Sequence, residues 1–147
     1  MKKQLLLITL IGCSLLLLSC GGRRKNALVD DQYVINQRAI KDSTTVELID
    51  SVYNFGSRKE GDKIPFSFRF KNSGTHPLVI IDAHASCGCT RPEKPKKPIR
   101  PGETGEIKVI FDSKGKPGHQ EKLIFVDANV KNGFPNLKLV GDIQKEN

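Results

Sequence analysis

The sequence predicts an all-β domain made of two packed antiparallel sheets. Three observations carry this. From Val46 onward, short apolar runs recur at fairly regular spacing, separated by Gly, Pro, Asn and Asp. In the clearest run, Ile64, Phe66, Phe68 and Phe70 alternate with Pro65, Ser67, Arg69 and Lys71. That is the period of a strand with one face in a core. No long helical periodicity competes with it over the roughly one hundred residues that follow the leader and tether.

The chain opens with a leader. Met1-Lys2-Lys3 is a short positive region and residues 5–18 are apolar or small. The apolar stretch is too short for a comfortable membrane span and suits a secretory signal. It ends in Leu17-Leu18-Ser19-Cys20-Gly21-Gly22, which resembles the bacterial lipobox. The resemblance implies cleavage before Cys20, diacylglycerol on its sulfur and acylation of its new amino group. Several acyl chains on one residue anchor a protein stably, whereas one is marginal. Gly21 after the cysteine resembles outer-membrane sorting in Gram-negative bacteria. The expected address is therefore the cell envelope, lipid-anchored to the outer membrane. Cys13 lies inside the leader and is lost with it.

The expected domains are residues 1–19 as signal peptide, 20–45 as lipidated cysteine and tether, and 46–147 as folded domain. Arg23, Arg24 and Lys25 stand near the lipid, where such charges meet anionic headgroups. A short helix over residues 28–38 is one reading of the scattered apolar positions that follow.

In the domain, Val46, Leu48, Val52 and Phe55 read as a first strand with a break. Gly56 and Lys59-Glu60-Gly61-Asp62 make a turn before the Phe66-Phe68-Phe70 strand, expected to be central. Asn72-Ser73-Gly74-Thr75 is the next turn. Residues 78–83 form a strand apolar on both faces, expected to be well covered. Residues 91–102 carry too many prolines for a paired strand and read as an extended polyproline-like crossing. Ile107, Val109 and Phe111 alternate in another strand, residues 123–126 start the next, and Asn132-Gly133 is a turn. Leu137, Leu139 and Ile143 form the last strand, with Gly141 expected at a bulge. Together these suggest an Ig-like β-sandwich of about seven antiparallel strands. There is no tryptophan and no widely spaced cysteine pair, so the core rests on Phe, Ile, Val and Leu.

Cys87-Gly88-Cys89-Thr90 is the stretch where chemistry concentrates. Two sulfurs at a strand end with glycine between them can form a strained disulfide, bind a soft metal, or simply pack. A redox reading uses Cys87 and Cys89 as an exchanging pair. A metal reading adds His84, giving an imidazole and two thiolates suited to Cu or Zn, with a bend needed to bring His84 round. A structural reading has the pair fix the strand end.

The run Phe55-Gly56, Glu60-Gly61, Phe68-Arg69-Phe70-Lys71-Asn72-Ser73-Gly74, Pro77-Leu78-Val79-Ile80, Ser86-Cys87-Gly88-Cys89-Thr90, Pro101-Gly102-Glu103 and Phe111-Asp112-Ser113-Lys114-Gly115 resembles one bacterial family. It is the domain of unknown function 1573 (DUF1573), common in lipoproteins of Bacteroidetes. The resemblance covers nearly all of the chain from Val46 to Ile143. The family is similar to Hydin-type and major-sperm-protein-type modules, which implies a seven-stranded sandwich. It implies no catalytic residue.

The net charge is +8, and +6 once the leader has taken Lys2 and Lys3. The lysines are spread along the chain, as on a solvated basic surface. Arg91, Lys94, Lys96, Lys97 and Arg100 form a local patch that suits an acidic partner, or protects an edge. Neither a nucleophile elbow nor a His-Glu-x-x-His, phosphate-loop or dinucleotide motif is present. The expected protein is a non-enzymatic binding or structural module of the envelope. Its expected partners are the membrane and an envelope protein or glycan, with no nucleic acid and no cofactor. The alternative is thiol-disulfide or Cu/Zn handling through Cys-Gly-Cys.

Overall fold

A computed structural model describes residues 41–145. Cys20, the leader and the helix read over residues 28–38 lie outside the described residues. Eight strands follow in order: β1 (Val46–Leu48), β2 (Val52–Lys59), β3 (Lys63–Asn72), β4 (Ile80–Ala85), β5 (Thr90–Glu93), β6 (Thr104–Asp112), β7 (Gly118–Ala128) and β8 (Leu137–Gln144). They form two four-stranded sheets, β1-β3-β6-β5 and β2-β8-β7-β4.

The alternation read around Phe68 sets the first sheet. β3 lies between β1 and β6, as expected of a central strand. It pairs along nearly its whole length with β6, Phe68 opposite Ile107 and Phe66 opposite Val109. Phe68, Phe70, Ile107 and Phe111 are fully buried against Ile124, Leu137 and Leu139 of the second sheet. Each such side chain contributes roughly 1.5–3 kcal/mol on burial. Phe70 meets Phe134 edge-on, with ring centroids 5.2 Å apart.

Three expectations are corrected. The strands number eight rather than about seven, and they are not all antiparallel, because β2 pairs with β8 in parallel. β2 does not turn back on β1; it crosses to the other sheet and lies beside the last strand, so no short hairpin dictates its direction. The proline-rich segment is also paired at its start: β5 lies on the edge of the first sheet against β6. The Asp112 N–H bonds the Cys89 carbonyl at 2.8 Å. Alternate residues of β5 therefore carry the ladder, and Pro92 falls on an intervening position where its missing donor costs nothing. Third, the strand expected at residues 78–83 runs from Ile80 to Ala85 on a sheet edge, and Ile81 is 46% exposed. Leu78 instead exchanges two backbone hydrogen bonds with Ile99, which ties the proline-rich crossing to the core. The bulge expected at Gly141 is found there, with the extra residue on the facing strand β2. Phe55 and Gly56 of β2 stand against that single residue, and a Cβ on Gly141 would meet the Phe55 ring.

Within the segment read as tether, Asp42, Thr44 and Thr45 engage the domain. Thr44 is buried and bridges to Val130, and the Asp42 carbonyl accepts from Asn129.

Candidate functional site

The Cys-Gly-Cys element lies where the chain changes sheet. β4 belongs to the second sheet and β5 to the first. Ser86 closes the β4 side by bonding Leu123 twice: its N–H to the Leu123 carbonyl at 2.9 Å, and its hydroxyl from the Leu123 N–H at 3.1 Å. Thr90 opens the other side, its N–H donating to the Cys87 carbonyl at 3.2 Å. Between them Cys87 and Cys89 are joined by a disulfide, with Cα atoms 5.3 Å apart. The Cys87 sulfur lies 3.6 Å from the buried Thr90 hydroxyl. The bond thus staples a tight passage from one sheet to the other. It also occupies both sulfurs that the alternative metal reading would join to His84.

Beside the staple opens a cleft of about 400 Å³ lined by Lys63, Gly88, Cys89, Arg91, Ile110, Asp112 and Lys114. The β-ladder explains the grouping. Arg91 lies opposite Ile110, and Lys63 opposite Asp112, on the outer face of the first sheet. Asp112 is partly spent on the loop, accepting the Lys114 N–H at 3.1 Å. None of Lys63, Arg91 and Lys114 stands in an ion pair among the described residues. Ile110 adds an exposed apolar side chain to the same surface.

The patch expected from sequence is redistributed. Arg91 turns to this cleft. Lys94 leaves it, donating to the carbonyls of Ile80 at 3.1 Å and Ile81 at 2.6 Å, and so tying the edge of one sheet to the other. Lys96 and Lys97 line a separate groove with Pro95, Pro98 and Glu103. The Arg100 N–H bonds the Glu103 carboxylate at 2.9 Å within its turn. Lys63 and Lys114 were not expected in the site. They lie far from Arg91 in sequence, and only strand register brings them together.

His84 is held elsewhere. It projects from the outer face of β4, its ring stacked on Phe125 at 5.3 Å and its Nδ1 3.7 Å from Asp82.

Three buried polar side chains hold the loops. Asn72, fully buried, bonds the carbonyls of His76 and Ile99 through Nδ2. Ser113, also fully buried, donates its hydroxyl toward the carbonyls of Lys59 and Asp62. Asn129 receives the Val79 N–H and donates to Pro77. These side chains satisfy the turns at the sandwich ends.

The architecture defines an Ig-like β-sandwich module whose sheet-to-sheet passage is stapled by a short disulfide. Residues 46–143 match the family described as protein of unknown function (DUF1573), and the chain belongs to that family. No curated protein matches the chain. Among solved structures, a protein of unknown function from Porphyromonas gingivalis W83 is similar at 14% identity and a TM-score of 0.59. That likeness covers 69% of this chain and 47% of the other, so the chain spans about half of that structure's length. The ASH/PapD-like domain 7 of human CEP192 is similar at 13% identity and a TM-score of 0.54, over 71% of this chain and 89% of that domain. The second likeness places the fold with a PapD-like domain.

Proposed function

We propose that this protein is a lipid-anchored, non-enzymatic binding module of the cell envelope, and that it receives an acidic protein partner at the cleft beside Cys87–Cys89. The observation that supports this reading is the convergence of three cations without ion-pair partners among the described residues, Lys63, Arg91 and Lys114, around that cleft. Arg91 supplies a planar fork suited to a carboxylate. The staple fixes the cleft wall, so little ordering entropy is lost on binding. The Cys20 lipid holds the domain at the membrane, which for a Gly21-bearing lipoprotein is the outer membrane of a Gram-negative bacterium.

Two measurements test it. A photo-reactive residue in place of Ile110, in the full chain in its own cells, is expected to trap one acidic envelope protein. The combined Lys63→Glu, Arg91→Glu and Lys114→Glu variant, membrane-bound and folded, is expected to lose that adduct. An adduct that persists at the same yield, or its absence from the wild-type background, refutes the acidic-partner reading. For the anchor, Cys20→Ala is expected to abolish the acyl mass and the membrane partition. Unchanged mass and partition would sink the lipoprotein assignment.

A further inference from the structure

The second sheet carries an independent cluster on its outer face. Asp82 of β4 stands directly opposite Asp127 of β7, in a ladder whose register shifts between Ile80 and Asp82. His84 is the next outward residue of β4, two positions on. One donor atom from each of Asp82, His84 and Asp127 lies within 4.8 Å of the other two. Like charges directly across a sheet are destabilising, and among the described residues no lysine or arginine forms an ion pair with either carboxylate.

We propose that Asp82, His84 and Asp127 bind one zinc ion. The set is more than an acidic pair, because the imidazole contributes a nitrogen ligand from a ring seated on Phe125. Tetrahedral donors around zinc, at roughly 2.0–2.2 Å from the metal, are about 3.3–3.6 Å from each other. The 3.7 Å separation of His84 Nδ1 and Asp82 Oδ2 is close to that, and an Asp127 carboxylate oxygen lies within 4.8 Å of both. One nitrogen and two carboxylates suit zinc better than calcium, which takes six to eight oxygens. Three protein ligands leave a fourth position open to water or to an acidic group from outside. The site is on a different sheet from the basic cleft, so the two proposals stand or fall separately.

The test is calorimetric titration of the full chain, solubilised in detergent and stripped with chelator, with zinc chloride. The expected result is one zinc per chain with micromolar affinity. Asp82→Asn, Asp127→Asn and His84→Ala are each expected to weaken it at least tenfold while circular dichroism stays unchanged. His119→Ala, which removes the other exposed His–Asp pair (His119 with Asp142, 3.0 Å apart), is expected to leave it intact. The proposal is overturned by wild-type protein that takes up zinc only at millimolar concentration. It is equally overturned by zinc binding that survives Asp82→Asn, or by calcium binding at this site as tightly as zinc.

Discussion

The Thr44 hydroxyl donates to Asn72 Oδ1 at 2.9 Å, across 28 residues of chain and inside the protein. The same amide oxygen accepts the Gly74 N–H at 3.1 Å, and its nitrogen donates to the carbonyls of His76 and Ile99. One fully buried side chain therefore closes its own turn and ties it to the domain entrance and to the proline-rich crossing. Asn72→Leu keeps the volume and leaves several of these groups without partners, each costing about 1–3 kcal/mol. The expected loss is about 3 kcal/mol or more, read as a lower urea midpoint at unchanged slope.

Glycine positions separate packing from freedom. A Cβ on Gly105 would lie 2.6 Å from Ile99 Cδ1 and 2.7 Å from Phe70 Cζ. Gly105→Ala is expected to destabilise by about 1–3 kcal/mol through overpacking. A Cβ on Gly88, between the cysteines, meets nothing within 4 Å. Gly88→Ala is therefore expected to stay within about 0.5 kcal/mol of wild type. Thermal unfolding of both variants checks the contrast.

The Cys87–Cys89 staple closes a very short loop, with a sequence separation of 2. On the chain-entropy account such a bridge is worth about 1–2 kcal/mol, less than one closing a long loop. The double variant Cys87→Ser, Cys89→Ser is expected to fold with that small loss. Wild-type protein purified without reductant is expected to show no thiol labelling at either position until reduced. Free thiols there in folded protein would contradict the stapled passage.

Asp50 and Arg69 provide the pH dependence. Arg69 donates from Nε to Asp50 Oδ2 at 2.7 Å and from Nη2 to Oδ1 at 3.2 Å, and its backbone N–H adds a third bond at 3.1 Å. The side-chain hydrogen bonds from Arg69, helped by its backbone N–H and charge, outweigh partial burial and hold the Asp50 carboxyl below its ordinary value. A carboxyl whose folded pKa is depressed stabilises fully above its unfolded pKa, near ~4, and loses that contribution as pH falls through the lower folded value. Asp50→Asn is expected to be less stable than wild type at neutral pH, with the gap closing in acid below about pH 4. Urea titrations at stepped pH measure it; a gap that does not change with pH would dismiss the linkage.

Much of this was legible in the residues themselves. Alternation around Phe68 placed β3 and its buried face, Asn72-Ser73-Gly74 placed a turn, and the motif runs identified the family. Face and turn are local properties, encoded in a period of two and in the residues that tolerate a turn. The unusual spacing of Cys87 and Cys89 was also visible, though not what the sulfurs do.

What the tertiary structure alone decided is which distant strands meet and in which register. The parallel pairing of β2 with β8, the recruitment of β5 as an edge strand, and the capture of Lys94 by the β4 carbonyls depend on closing the core between two sheets. The same register carries Lys63 and Lys114 to Arg91, and Asp127 to Asp82 and His84. Side-chain partners across a sheet are fixed by strand pairing rather than by sequence distance, so the candidate sites emerged only when the strands were in place.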